Sequence, residues 1–448
     1  MKKLIILIMI VASVLSAETV SLEKARASAI DKNYGYAIAK ENLVYSGLSR
    51  KSAFAGFLPT ASLSAGYTIF SPEIEISSFK YTPPSTLSPT TMTQEDKTAL
   101  SIRITQPLFT GGKLWNNYII ASRSEDMSRN SLSYEMLKLM NDVESQYISV
   151  LESEDMLNIS KESLVLSKRN EETAKIKFDS GLISKADYLK NSSARANSEV
   201  SLVNSEKMFE LAKINFAKLT GLQTFDLEKI EYSKYESFID KLHRIEFNTI
   251  EERLNLFKEI ALKNNNDLKN MELSKEINEK KISTSKGNFL PSVNLSYSTE
   301  WAKTNLADEY TNSGSIALTA SVPILPLYDN YLTLEKSRID MKRTELSEKQ
   351  LLDNISTLIS TNLFSLVSGS KQFLSSKVAV ELAEETYKSV EERANSGLST
   401  EDELNTARLS LIQAKYNHTS AYYSILKTKS ELMKIMGLTD ETELIKLF

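Results

Sequence analysis

The chain has 448 residues, 25% of them charged and 41% apolar, with a formal net charge of −4 and no cysteine. That balance excludes a nucleic-acid binder working through concentrated basic charge, a disulfide-held scaffold and an acyl anchor on an N-terminal cysteine. With only 13 glycines and 9 prolines, long uninterrupted helices are favoured over a loop-rich globule.

In chain order, Lys2 and Lys3 precede an apolar run from Leu4 to Leu15, and the small residues Ser16 and Ala17 follow. Residues 1–17 read as a secretory signal cleaved near Ala17. No later apolar run reaches about 18 residues, so no transmembrane helix is expected, and any membrane contact must come through strands. Leu22 to about Ala53 reads as a helix, ended by Phe57-Leu58-Pro59. The period then changes to two. Ala61, Leu63, Ala65 and Tyr67 alternate with Ser62, Ser64, Gly66 and Thr68, which predicts a strand with one apolar and one small polar face. Residues 71–98 read as a Pro/Ser/Thr-rich loop. Leu100, Ile102 and Ile104 resume the alternation until Pro107 and Gly111-Gly112, completing a β-hairpin over 60–109.

A helical hairpin is expected over 113–219. Its first helix, without proline or glycine from Lys113 to Phe178, is roughly 100 Å long at about 1.5 Å per residue. Met136, Val143, Val150, Leu157 and Leu164 stand seven apart, a coiled-coil stripe. Ser180-Gly181-Leu182 turns the chain, and 222–249 reads as an irregular connector. The series then returns. Phe289-Leu290-Pro291 follows Phe57-Leu58-Pro59 at an offset of 232, and a second β-hairpin is expected over 291–323, stopped by Pro323. The stripe reappears at an offset of 216 as Leu352, Ile359, Leu366, Phe373 and Val380. It belongs to a helical hairpin over 330–436 that turns at Ser396-Gly397-Leu398. Residues 439–448, Phe448 included, read as an unstructured tail. The chain is thus a tandem duplication, 18–221 and 250–438, and the change of 16 in offset lengthens the first β-hairpin's loop.

The alternation fits either a small soluble sheet packed on helices or tilted membrane strands about ten residues long. Export, and a polar face on which only Arg103 is charged, favour the membrane. Four strands cannot close a barrel, which needs about eight, and an open edge in lipid costs several kcal/mol per unpaired backbone group. Several chains must then share one barrel. Three copies give twelve strands; two give eight, too narrow for a water-filled duct.

The doubled Phe-Leu-Pro entry (Pro59, Pro291), the strand exits Gln106-Pro107-Leu108-Phe109-Thr110-Gly111-Gly112 and Val322-Pro323-Ile324, and the paired tips carry a resemblance. The tips are Gly181-Leu182 with Asp187 and Leu189, and Gly397-Leu398 with Glu403. The chain resembles the TolC-like outer-membrane efflux protein family, from about Leu22 to Leu438. The resemblance implies an α+β membrane protein: a trimeric 12-stranded β-barrel, four strands per chain, continuous with a long α-helical coiled-coil barrel across the periplasm. It implies a passive exit duct in the outer membrane. The duct would dock through Ser180, Gly181, Leu182, Ser396, Gly397 and Leu398 onto a periplasmic adaptor protein and an inner-membrane transporter. It also implies that Glu403, with Asp402, Glu401 and its counterpart Asp187, lines the periplasmic aperture. A second acidic position of that aperture is Thr406 here, a departure that puts the ring's strength in doubt. The same three acids also suit a plain helix N-terminus after Ser399-Thr400, and that reading stays open. A soluble periplasmic coiled-coil adaptor or scaffold is the rival function.

Neither cofactor nor metal site is expected, and no nucleic-acid partner. His243 and His418 read as structural or solvated, Gly111-Gly112-Lys113 lacks phosphate-loop spacing, and the carboxylates are scattered, so an enzyme is not expected.

Overall fold

The computed structural model describes residues 19–69, 75–82, 86–93, 96–304, 308–325 and 327–448. The expected signal at 1–17 lies outside the described residues. The described residues form two compact units: those within 42–128 and 271–347, and those within 19–41, 129–270 and 348–448.

The first unit holds a four-stranded antiparallel sheet. Its strands are β2 (Thr60–Thr68), β5 (Lys97–Thr110), β7 (Ser292–Thr304) and β8 (Thr311–Ser321), in the order β2-β5-β7-β8. Register follows from the alternation, because partners across an antiparallel ladder share a face. Leu63 pairs with Ile102, which pairs with Thr299; Ile104 pairs with Tyr297, which pairs with Ile316. One face is therefore apolar. The other carries rungs such as Ser62–Arg103–Ser298–Ser315. The expected ends need two corrections. Pro107 does not close its strand: β5 runs on to Thr110 through a register shift between Pro107 and Phe109, because a bulge accommodates a residue that cannot donate to the ladder. β7 extends past Ser298 to Thr304, which puts a second kind of charge, Glu300, on the polar face.

Part of the expected 71–98 loop is ordered backbone. β3 (Glu75–Thr82) pairs antiparallel with β4 (Thr86–Thr93) as a separate two-stranded ribbon. Beyond the sheet, Gly111 and Gly287 meet backbone to backbone. A Cβ on Gly111 would fall 2.4 Å from the Gly287 carbonyl oxygen, and one on Gly287 2.5 Å from that of Gly111. Any larger residue at either position would force the two segments apart.

The rest of the described chain is mostly helical, and helices occur in both units. Leu22–Lys32 (α1) and Tyr34–Ala55 (α2) replace the single helix expected there. The break is Asn33, whose extended backbone ends α1 while its side chain accepts from the Tyr36 N–H at 3.0 Å. An Asn side chain at a helix start competes well with helix continuation. The residue 232 positions on, Asn265, does the same between Ile250–Asn264 (α6) and Asn266–Gly287 (α7), accepting from Asp267 N–H at 2.9 Å.

The two long hairpins are Lys113–Asp179 (α3) with Lys185–Thr220 (α4), and Leu327–Asn395 (α8) with Glu401–Met436 (α9). Along the stripe Val143, Val150 and Leu157 are buried, as are Ile359, Leu366 and Phe373, while Leu352 is exposed. Toward Gly181 the buried seam of α3 turns small and polar: Ser160, Ser163, Ser167, Asn170 and Ala174. Their spacing of three and four keeps the coiled-coil geometry without an apolar pattern.

The expected irregular connector is folded. Helix α5 (Glu236–His243) buries Phe238, Ile239 and Leu242, spaced to share one face. Asp226–Leu227 (β6) pairs parallel with Thr19–Val20 (β1). Mixed charge hid this helix, because its apolar stripe is only three residues long. The expected tail is also ordered. Asp440 caps α10 (Glu441–Lys446), Leu444 is buried, and the Phe448 ring packs 5.5 Å from Phe238 and 5.1 Å from Phe257.

One charged cluster ties these segments. The Lys429 side chain is 1% exposed and donates to Glu441 at 2.7 Å and Tyr235 at 3.3 Å, with Glu144 at 3.3 Å. Arg26 pairs with Glu144 at 2.8 Å and Lys234 with Glu441 at 2.9 Å. Burial alone would raise the Glu441 carboxyl, but the Lys429 charge and hydrogen bond, helped by Lys234, bring it down to about 2.

Candidate functional site

Two places carry the residues singled out in the sequence: the sheet with its ends, and the hairpin turns. Pro59 and Pro291 stand immediately before β2 and β7, and Pro323 two residues after β8. Proline cannot donate to a ladder, so it suits positions just outside a strand. Aromatic side chains gather beside the entry. Phe54, Phe57 and Trp115 all pack on Tyr118, with ring centroids 6.1–6.5 Å apart. At the other end of the strands Tyr67, Leu100, Trp301 and Tyr310 line one shallow pocket. Between these ends the apolar face is bare: Leu63, Ile316 and Leu318 are 68%, 75% and 67% exposed. The polar face is knitted by hydroxyls, Ser64 to Ser101 at 2.8 Å and Ser298 to Ser315 at 3.1 Å.

Each hairpin turn takes five residues, 180–184 and 396–400. The helix before it ends on a glycine in the left-handed region, Gly181 at φ 72° and Gly397 at φ 73°. The following leucine N–H reaches back, Leu182 to the Lys177 carbonyl and Leu398 to that of Arg393, both at 2.8 Å. This is the six-to-one closure that glycine permits. Leu182 and Leu398 are left 76% and 72% exposed. The next helix starts with a hydroxyl cap. Ser184 accepts from the Asp187 N–H and Thr400 from the Glu403 N–H, each at 3.1 Å. Asp187 and Glu403 are thus the same element of two caps, each carboxylate taking a hydroxyl bond, from Ser184 and Ser399. The Ser399 hydroxyl, then the Thr400 N–H, hold the Glu403 carboxyl below its ordinary range.

The three acids in sequence do three different things. Glu403 belongs to the cap. Asp402 is exposed and lies 3.3 Å from the Lys190 ammonium. Glu401 is buried, paired with Lys177 at 2.8 Å and accepting from Asn191 at 3.2 Å. Lys177 also donates to the Ala394 carbonyl at 2.8 Å. Glu401 therefore fastens one hairpin's turn to the other's. Lys177, Lys190 and Asn191 escaped the sequence reading because their partners are more than 200 positions away. Arg408 escaped it too. Arg408 is 2% exposed, its guanidinium donates to Ser163 at 3.1 Å and Ser198 at 3.2 Å, and among the described residues it has no carboxylate partner. Its Nε lacks any acceptor, and burial lowers its pKa.

Burial lowers the pKa of His418, which stacks 4.5 Å from Phe373. Among the described residues no group of three His, Asp or Glu could hold a metal ion, and no helix is long and apolar enough to cross a membrane.

A family model described as outer membrane efflux protein matches residues 49–222 and 259–438. No curated protein sequence matches significantly. Among solved structures the chain is similar to the outer membrane protein VceC of Vibrio cholerae, with a TM-score of 0.74 at 14% identity, covering 93% of this chain and 96% of that one. It is similar also to the CmeC outer membrane channel of Campylobacter jejuni, with a TM-score of 0.74 at 14% identity over 95% and 88% of the two chains. The open-state MtrE channel of Neisseria gonorrhoeae gives 0.67 at 15% identity over 93% and 89%. At such identities the structures speak for fold. These neighbours are channels, not enzymes.

Proposed function

The chain belongs to the outer membrane efflux protein family, and we propose that it works as a trimeric exit duct for a tripartite efflux or type I secretion system. The observation that carries this is the sheet. It has a bare apolar face, a hydroxyl-lined polar face, and outer edges on β2 and β8 with no partner strand among the described residues. Along β7 the apolar face runs from Val293 to Trp301, about 27 Å at about 3.4 Å per residue. Tilted as barrel strands are, that approaches an apolar band of about 25 Å with aromatic girdles at both rims. A soluble sheet would leave this face unexplained, which disfavours the periplasmic adaptor or scaffold.

Three copies supply twelve strands, and lipid covers the apolar face. In this reading the chain reaches the outer membrane through its N-terminal signal, carries no acyl chain on cysteine, and consists of two tandem repeats. The helical hairpins form a periplasmic tube. The exposed leucines of Ser180-Gly181-Leu182 and Ser396-Gly397-Leu398 offer apolar knobs to a periplasmic adaptor, which joins the duct to an inner-membrane transporter. The duct itself is passive. Asp402, Glu403 and Asp187 of three copies line the aperture, while Glu401 fastens the turns behind them. Converging carboxylates repel, so a closed aperture calls for cations or neighbouring lysines such as Lys190.

The test is the mass of the mature protein in mild detergent by light scattering. A trimer with a detergent belt is expected. A monomer that stays in solution without detergent would overturn the duct.

A further inference from the structure

We infer that Arg103 makes the barrel section of the duct favour anions. The inference rests on the trimeric duct reading and deepens it. Within the four-stranded sheet, β2 and β8 contain no charged residue at all. β5 contributes Lys97 and Arg103, and β7 contributes Glu300 and Lys303. The register sorts these by face. Lys303 pairs with Thr98, on the side of Tyr67. Lys97, Arg103 and Glu300 lie on the polar side, and Glu300 is held by Lys97 at 2.6 Å. Arg103 is left exposed, its rung neighbours are Ser62 and Ser298, and its guanidinium has no acceptor among the described residues.

Closing a barrel does not supply a counter-charge. The strand that would lie beyond β2 is the β8 of another copy, which brings only small polar and apolar residues. Three guanidinium groups then stand at one level of a hydroxyl-lined passage, uncompensated. Rings of Arg or Lys in a pore wall attract anions and repel cations. Screening decides how far the ring is felt. At about 10 mM salt the screening length of about 30 Å spans the lumen, and at about 1 M it shrinks to about 3 Å. The preference should therefore be strong in dilute salt and fade in concentrated salt.

The experiment uses the full-length trimer in planar bilayers, with the Cl⁻ to K⁺ permeability ratio read from reversal potentials under a KCl gradient. R103Q is expected to lower that ratio at least about twofold in dilute salt and much less at high salt. R103K keeps the charge and should keep the ratio. E300Q frees Lys97 and should move the ratio the other way. The acidic residues at the hairpin turns are common to all four proteins, so their contribution cancels in the comparison. A conducting wild-type trimer whose ratio R103Q leaves unchanged in dilute salt would overturn the inference and leave the duct standing. A wild-type protein that stays a monomer in solution without detergent would overturn the duct reading and the ring with it.

Discussion

In the four-stranded sheet, Ile316 and Leu318 stand open to solvent and two strand edges lack partners among the described residues, whereas around Lys429 one chain folds on itself until a lysine side chain is 1% exposed. The first region uses apolar residues and leaves them bare. The second uses charges and hides them. Burying a charge is costly unless it is paired and hydrogen-bonded, and Lys429 has Glu144, Glu441 and Tyr235 within 3.3 Å. That region is completed within a single chain. On the proposed reading, the sheet is one part of a surface that more chains and a different solvent would complete.

The largest effect that separates the two regions should come from Lys429→Ala. It leaves Glu144 only Arg26 and Glu441 only Lys234 as a cationic partner and should cost toward the lower end of about 3–5 kcal/mol, seen as a lower helix melting temperature by circular dichroism. Because the loss is internal to the chain, it should be the same in detergent and in lipid. Ile316→Lys tests the other side. At a bilayer midplane a lysine costs about 2–4 kcal/mol, so heat-resistant trimers should be depleted in membranes. On a water-facing sheet the same change would be neutral. A trimer yield unchanged by Lys at 316 would erase the contrast drawn above.

Acid sharpens the comparison. The Glu441 carboxyl is depressed from 4.5 to about 2, so its contribution is fully present above about pH 4.5 and is lost as pH falls toward 2. Burial of the pair makes this on the order of 2–3 kcal/mol. An acid titration of stability should show the loss, and Glu441→Gln should remove most of that dependence. Arg408→Met should have the smallest effect and the opposite sign. Burying a charge without a paired counter-charge is costly, so an apolar side chain of similar length should relieve that cost. Melting of the variant should match or exceed that of the wild type.

Period-two alternation made the sheet's faces legible, since a one-residue slip would expose every apolar side chain on the wrong side. Gly181 and Gly397 were legible because only glycine enters the left-handed region cheaply. The breaks at Asn33 and Asn265 were not, since neither proline nor glycine marks them. Helix α5 and the ordered residues up to Phe448 were hidden because their apolar stripes are too short to show a period. The seam of Ser160, Ser163 and Ser167 keeps coiled-coil spacing in residues that a hydrophobic pattern ignores. The pairing of Glu401 with Lys177, and of Lys429 with Glu144, joins positions more than 200 apart, and no local rule connects them. The turn acids were visible as a group, but their division into a cap, a surface contact and a buried fastening needed the backbone.

The strand order β2-β5-β7-β8, antiparallel throughout, bears on inheritance. β8 runs opposite to β2, so in the proposed ring the edge of one copy that lacks a partner among the described residues accepts the other such edge of the next, head to tail, and every joint is the same. A chain damaged at either edge spoils each ring that it enters. With intact and damaged alleles expressed equally, a ring of three would escape the damaged chain about one time in eight. Lesions at these edges should therefore behave as dominant alleles, while lesions confined to the Lys429 cluster, which deplete folded chain before it assembles, should behave as recessive ones.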